Sequence, residues 1–239
     1  MEKSPSDLRS GESPSDLRSE SPRTALVAGA SGLVGTHLLE QLLAHEAWGS
    51  VISLGRRKLP IEHPKLRQET VDFAALDRLT LADEVDDVFS CLGTTIKKAG
   101  SKEAFSAVDH DAVVAVGKAG LAAGAERMLH VSALGADSGS SIFYNRVKGD
   151  TEADVAKLGF RCDVALRPSI IDGERSESRP GERLGLAVTR FLAPVLGKYK
   201  PTHADAIARA MIHEALRDRE GHHVLESKEI LEIAALTRT

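Results

Sequence analysis

From residue 24 onward, apolar positions follow two alternating rhythms. Short apolar runs rich in Val, Leu, Ile and Ala predict buried strands at 24–28, 50–54, 66–72, 87–93, 127–133, 162–167 and 222–226. The run at 66–72 is the least apolar, which places it near a sheet edge. Between the runs, apolar residues recur at helical spacing. Helices are predicted over 33–44, with Leu38, Leu39, Leu42 and Leu43 on one side, over 74–81, over 101–123, and from Tyr144 to 158. In the third of these, Phe105, Val108, Ala112, Ala115 and Val116 turn toward a sheet. A stripe of Leu184, Val188, Phe191 and Val195 marks a helix over 183–196, and Thr202 reads as the N-cap of a helix running to 216. Strand and helix periods that alternate this way predict the α/β class: a doubly wound parallel sheet with helices on both faces.

Residues 1–23 break the pattern. Ser4-Pro5-Ser6-Asp7-Leu8-Arg9-Ser10 recurs as Ser13-Pro14-Ser15-Asp16-Leu17-Arg18-Ser19. Two copies of so short and polar a unit cannot stack into a core, so a disordered tail is expected ahead of a single domain over 24–239. A net charge of −4 gives no basis for a nucleic-acid partner. No run is long and apolar enough to span a membrane, and the N-terminus lacks the apolar region of a secretory signal, so a cytoplasmic location is expected. Cys91 and Cys162 lie in apolar runs without metal-ligand spacing and read as free thiols; no metal site is expected.

The candidate chemistry begins at the first strand. Gly29, Gly32 and Gly35 are spaced G-x-x-G-x-x-G between that strand and the first helix. Gly29 permits a tight turn, Gly32 lets backbone N–H groups approach a pyrophosphate, and Gly35 lets helix and strand lie close. Ser31, Leu33 and Val34 complete this phosphate cradle at a helix N-terminus. The same glycines would also serve a turn that only packs a helix on a sheet. About 20 residues on, where an NAD site places a carboxylate, the chain has Arg56 and Arg57. Guanidinium groups suit a 2′-phosphate, which favours NADPH over NADH. Asp72, ending the third strand, is a candidate for the adenine amino group. Cys91, Leu92, Gly93 and Thr94 would pass beneath the cofactor, and Pro168 and Ile170 beside the nicotinamide.

Ser132 ends the fifth strand, and Tyr144 and Lys148 follow, four apart and so on one helix face. An ammonium near a phenol lowers its pKa toward useful acid–base work. Tyr144 is the candidate acid, Lys148 its tuning group and a ribose ligand, and Ser132 the group that steadies a substrate carbonyl.

Together the glycine pattern, the Ser132 strand end and Tyr-x-x-x-Lys resemble the short-chain dehydrogenase/reductase superfamily in its atypical branch. Cys91-Leu92-Gly93-Thr94-Thr95, Lys98-Ala99-Gly100 and Glu177-Ser178-Arg179-Pro180-Gly181-Glu182 are similar to the Tat-interacting-protein-like group of that branch. The resemblance implies a Rossmann-type NAD(P)-binding fold and the three catalytic roles above. The asparagine that completes the proton relay in many members has no matching position; Asp109 lies in roughly that helix, and the role is not transferred to it. Two functions are therefore expected as alternatives. One is an NADPH-dependent oxidoreductase passing hydride to a small carbonyl substrate. The other is an NADPH-binding, redox-sensing regulator with little turnover. A homodimer or a protein partner is compatible with both.

Overall fold

The computed structural model describes residues 22–73, 75–76, 79–172 and 201–237. Its strands are β1 (Arg23–Ala28), β2 (Trp48–Gly55), β3 (Leu66–Thr70), β4 (Asp87–Ser90), β5 (Arg127–Val131), β6 (Cys162–Arg167), β7 (Ile171–Asp172), β8 (Thr202–His203) and β9 (Gly221–Glu226). Seven of them form one sheet in the order β3-β2-β1-β4-β5-β6-β9, every neighbouring pair parallel. β7 and β8 pair separately. The chain reverses its direction of travel between β1 and β4, the crevice where open α/β sheets bind ligands.

Alternation within β1 explains the layers. Ala25 and Val27 face a core shared with Leu38 and Leu42 of α1 (Leu33–Ala44) and with Ile207 and Met211 of a later helix, Ala204–Ala215. Leu26 and Ala28 face the opposite core, with Val113 and Val116. Arg23, the first residue of β1, pairs with buried Asp87, which also accepts from Trp48 Nε1 at 2.8 Å. Burial pushes the Asp87 carboxyl up to about 6 against the pull of Arg23.

Three expectations change. Among the described residues of 74–81 no α-helical turn is present; Leu76 is in 3₁₀ conformation, and Ala75 N–H bonds Asp72 O and Leu79 N–H bonds Leu76 O, three residues apart. Phe73, Leu76, Leu79 and Leu81 pack on the second core. The helix expected over 101–123 is divided into α3 (Lys102–Ser106), capped by Ser101, a π-helical turn (Ala107–Asp111) and α4 (Ala112–Ala122); the short α2 (Ile96–Ala99) precedes them. Thr202 is a strand residue rather than a cap: its N–H bonds Ile170 O and its hydroxyl meets Ser227. His203 takes the cap position of α6 (Ala204–Ala215), after α5 (Phe143–Ala156). A last helix, α7 (Ser227–Leu236), opens with a capping box between Glu226 and Glu229 that the sequence reading did not use. The helix expected over 183–196, and the Glu177–Glu182 motif, lie outside the described residues.

Candidate active site

Since all seven strands run the same way, everything that follows a strand's C-terminal end lies along one edge. Gly29 leaves β1 there with φ +86°, and a Cβ on it would sit 2.7 Å from the Cys91 carbonyl and 2.9 Å from Leu92 N. The glycine turn is thus pressed against the chain leaving β4. A Cβ on Gly35 would collide with the Gly29 carbonyl, so that glycine permits the close seat of α1. The N-terminus of α1, capped by Gly32, has neither a side-chain cap nor an acidic residue in its first turn. Its first N–H groups, with Ser31, Leu33 and Val34 around them, suit a pyrophosphate, whose charge and acceptors that terminus lacks.

Arg56 and Arg57 directly follow β2 and are exposed. Their loop is held from β3: Gln68 accepts from Leu59 N–H at 2.7 Å and donates to Ile61 O at 2.9 Å. Asp72 lies just beyond β3, at the sheet edge. Cys91, Leu92, Gly93 and Thr94 follow β4 beside the glycine turn, and burial pushes the Cys91 thiol up to about 12. Pro168, whose carbonyl accepts from Leu134 N–H at 3.0 Å, and exposed Ile170 follow β6.

On α5, Tyr144, Lys148 and Glu152 stand at four-residue steps along one face. The Tyr144 ring packs 5.4 Å from Phe105 of α3. Lys148 is buried and its Nζ lies 2.8 Å from Asp109 Oδ1; Asp109 Oδ2 accepts from Thr94 N–H at 2.8 Å. Asp109 sits in the π-helical turn, where Ala112 N–H reaches back to Ala107 O and Thr151 Oγ1 donates to the Asp109 carbonyl at 2.9 Å. Such turns occur disproportionately at functional sites because they re-aim one side chain.

This geometry corrects two expectations. Tyr144 is raised above its ordinary value, not lowered: burial dominates, Lys148 opposes it, and Asp109 adds to it. Ser132 does not reach toward a carbonyl; its hydroxyl donates to Glu152 inside the protein. Glu152 in turn holds Arg167, with Nε to Oε1 at 2.9 Å and Nη2 to Oε2 at 2.5 Å, and Arg167 Nη1 reaches Glu226 at 3.2 Å. The sequence reading missed Glu152, Arg167 and Gln68; a carboxylate one turn after Lys148 was the available signal for the first.

A family model described as the NAD dependent epimerase/dehydratase family matches residues 25–146. The chain belongs to this family. Rat Protein HTATIP2 is 35% identical over 216 residues, covering 88% of this chain and 89% of the rat protein. Protein fmp52, mitochondrial, of Emericella nidulans is 33% identical, covering 81% and 87% of the two chains. The match to HTATIP2 agrees with the resemblance drawn from the motifs. Among solved structures, MoeE5 in complex with UDP-glucose and NAD superposes with a TM-score of 0.62 at 21% identity, covering 90% of this chain and 82% of that one. A UDP-glucose 4-epimerase from Thermotoga maritima reaches 0.65 at 14% identity, covering 90% and 84%. Both share the Rossmann-like fold. The fungal names correct the cytoplasmic expectation: several family relatives are called mitochondrial. That expectation stood on a search for secretory and membrane-spanning patterns, which does not separate cytosol from mitochondrion.

Proposed function

We propose that the protein is an NADPH-dependent reductase of a small carbonyl compound, with Tyr144 as the proton donor. The observation that carries this reading is the half-buried phenol beside the Lys148–Asp109 pair, on the same strand edge as the glycine turn, whose helix lacks a side-chain cap. When bound, the nicotinamide supplies hydride to the carbonyl carbon. Tyr144 gives its hydroxyl proton to the carbonyl oxygen, and Lys148 eases that transfer by stabilising the phenolate left behind, against the opposite pull of burial and Asp109. Arg56 and Arg57 select the 2′-phosphate, since no carboxylate stands at that strand end to take a ribose hydroxyl. Ser132 is a positioning residue in this scheme, anchoring Glu152 and so the lower half of α5. The competing reading, an NADPH-bound sensor with little turnover, draws on the neutralisation of Lys148 by Asp109.

Titration of NADPH and NADH onto the full chain, then onto an Arg56→Ala/Arg57→Ala variant, tests the cofactor. The expected outcome is a preference for NADPH that falls roughly tenfold in the variant, the scale of one charged hydrogen bond. Equal affinities for the two cofactors in the starting protein would defeat the 2′-phosphate assignment. A screen of carbonyl compounds for NADPH oxidation tests the acid, with Tyr144→Phe expected to lose roughly 10²–10⁴-fold. Turnover that survives the substitution rules Tyr144 out. Tight NADPH binding without turnover on any compound favours the sensor.

A further inference from the structure

Three cations stand in a row directly after β2: Arg56, Arg57 and Lys58, all exposed. Like charges so close repel one another, and a loop that carries them spreads unless something holds its main chain. Among the described residues no ion pair engages any of the three, and Glu69 on the neighbouring strand is taken by Arg67, which also pairs with Asp83. The ends of the loop are fixed by main-chain bonds, Val71 N–H to Gly55 O at 2.9 Å and Val51 N–H to Lys65 O at 2.8 Å. Between them, among the described residues, every hydrogen bond of residues 56–62 goes to one side chain, the Gln68 amide of β3. Its Oε1 accepts from Leu59 N–H at 2.7 Å, and its Nε2 donates to Ile61 O at 2.9 Å and to Leu59 O at 3.3 Å. We propose that Gln68 is a positioning residue for cofactor choice: it holds the Arg56–Lys58 loop in the shape that receives a 2′-phosphate, and so sets the preference for NADPH over NADH. This rests on the 2′-phosphate reading above and adds to it a residue that strengthens the contact without making it.

An amide meets both demands of that main chain, because it accepts on one atom and donates on the other. A carboxylate would accept from Leu59 but leave the Ile61 carbonyl unmet, and its charge would draw the cations away from a phosphate. A lysine would only donate, and would add to the repulsion. Alternation along β3 puts the amide where the loop passes: Leu66, two residues earlier on the same face, packs on the first core together with Leu59 and Ile61. Arg67 and Glu69 pair with each other on the opposite face. The core contacts of Leu59 and Ile61 keep the loop close to the strand, and the amide fixes its course. A loop already held loses little freedom when a phosphate arrives, whereas a loop that must be ordered on binding gives up part of the attraction to that ordering. The loss falls on ligands that use the cations, so the 2′-phosphate feels it and the rest of the adenosine does not.

Titrations of the full chain with 2′,5′-ADP and 5′-AMP, which differ only by the 2′-phosphate, read this effect without the nicotinamide end and without turnover. The starting protein should bind 2′,5′-ADP the more tightly. Gln68→Met, similar in length but lacking the amide, should weaken 2′,5′-ADP by roughly three- to tenfold, the scale of one net hydrogen bond. Binding of 5′-AMP should stay within about twofold. With Arg56, Arg57 and Lys58 all changed to alanine, the same Gln68→Met step should alter neither ligand by more than about twofold. An undiminished preference for 2′,5′-ADP in folded Gln68→Met overturns the proposal and leaves the 2′-phosphate reading in place. Equal weakening of both ligands, or a weakening that persists without the three cations, also overturns it, since either marks a general role in the fold. Should Gln68→Met fail to fold, Gln68→Asn gives the same comparison, its amide being one methylene short of the Leu59 and Ile61 main chain. Equal binding of the two ligands by the starting protein defeats the 2′-phosphate reading itself, and the proposal with it.

Discussion

Changing Gly29 to alanine probes the contact that brings the phosphate turn against the β4 exit. Two costs add at this position. The backbone sits at φ +86°, where an L-residue pays about 1–2 kcal/mol. The new Cβ would also lie 2.7 Å from both the carbonyl carbon and oxygen of Cys91, main-chain atoms that cannot swing aside as a side-chain tip can. Overpacking of this kind costs about 1–3 kcal/mol. The fold carries its own control in Gly159, with φ +91° and nothing within 4 Å of its would-be Cβ, at the opposite end of the sheet from the site. Gly159→Ala should thus lose only the backbone part. Urea unfolding of the two variants beside the starting protein separates the contributions, with Gly29→Ala expected to be the less stable of the pair by about 1–3 kcal/mol. NADPH titration should show weakened binding for Gly29→Ala alone. Equal stability losses in the two variants would mean that the turn is not pressed against Cys91, and the reasoning about the cradle would fall with it.

Two further outcomes follow from the buried charges. Asp87 has its folded pKa raised to about 6 from an ordinary 3.8, so the unfolded chain releases its proton first as pH rises. Stability contributed by protonated Asp87 is therefore intact below about pH 4 and is lost by about 3 kcal/mol once the pH passes 6. The difference in unfolding free energy between the starting protein and Asp87→Asn should change by that amount across this window, and a flat difference curve would contradict it. Glu152→Gln should cost about 3 kcal/mol in thermal or urea unfolding, because Arg167 and the Ser132 hydroxyl lose the charged partner they share. A loss within about 0.5 kcal/mol, as for an ordinary surface change, would show the network to be incidental.

The sheet was legible because its central strands, such as β1, β4 and β6, are buried on both faces and read as nearly unbroken apolar runs. The glycine turn was legible for a related reason: close main-chain approaches leave a mark that only glycine can make. Asp109 was not legible as a site residue. A π-helical turn shifts the register by one residue without a compositional marker, so a helix drawn straight through 101–123 cannot say where that carboxylate points. Glu152 looks like any charged helical residue until its partners, 20 residues before and 15 after it, are folded beside it. The direction of the Tyr144 shift was missed for the same cause, since neither burial nor the carboxylate behind the lysine is written in the local motif.

The row Ser132–Glu152–Arg167–Glu226 has a consequence for when the protein becomes competent. Every residue proposed to touch cofactor or substrate has been synthesised by Ile170, yet the row that braces the helix bearing Tyr144 is finished only by Glu226, on the outermost strand. A truncated chain that stops short of this strand would possess all its reactive groups and still lack the outer contact of that row, and the strand that flanks β6.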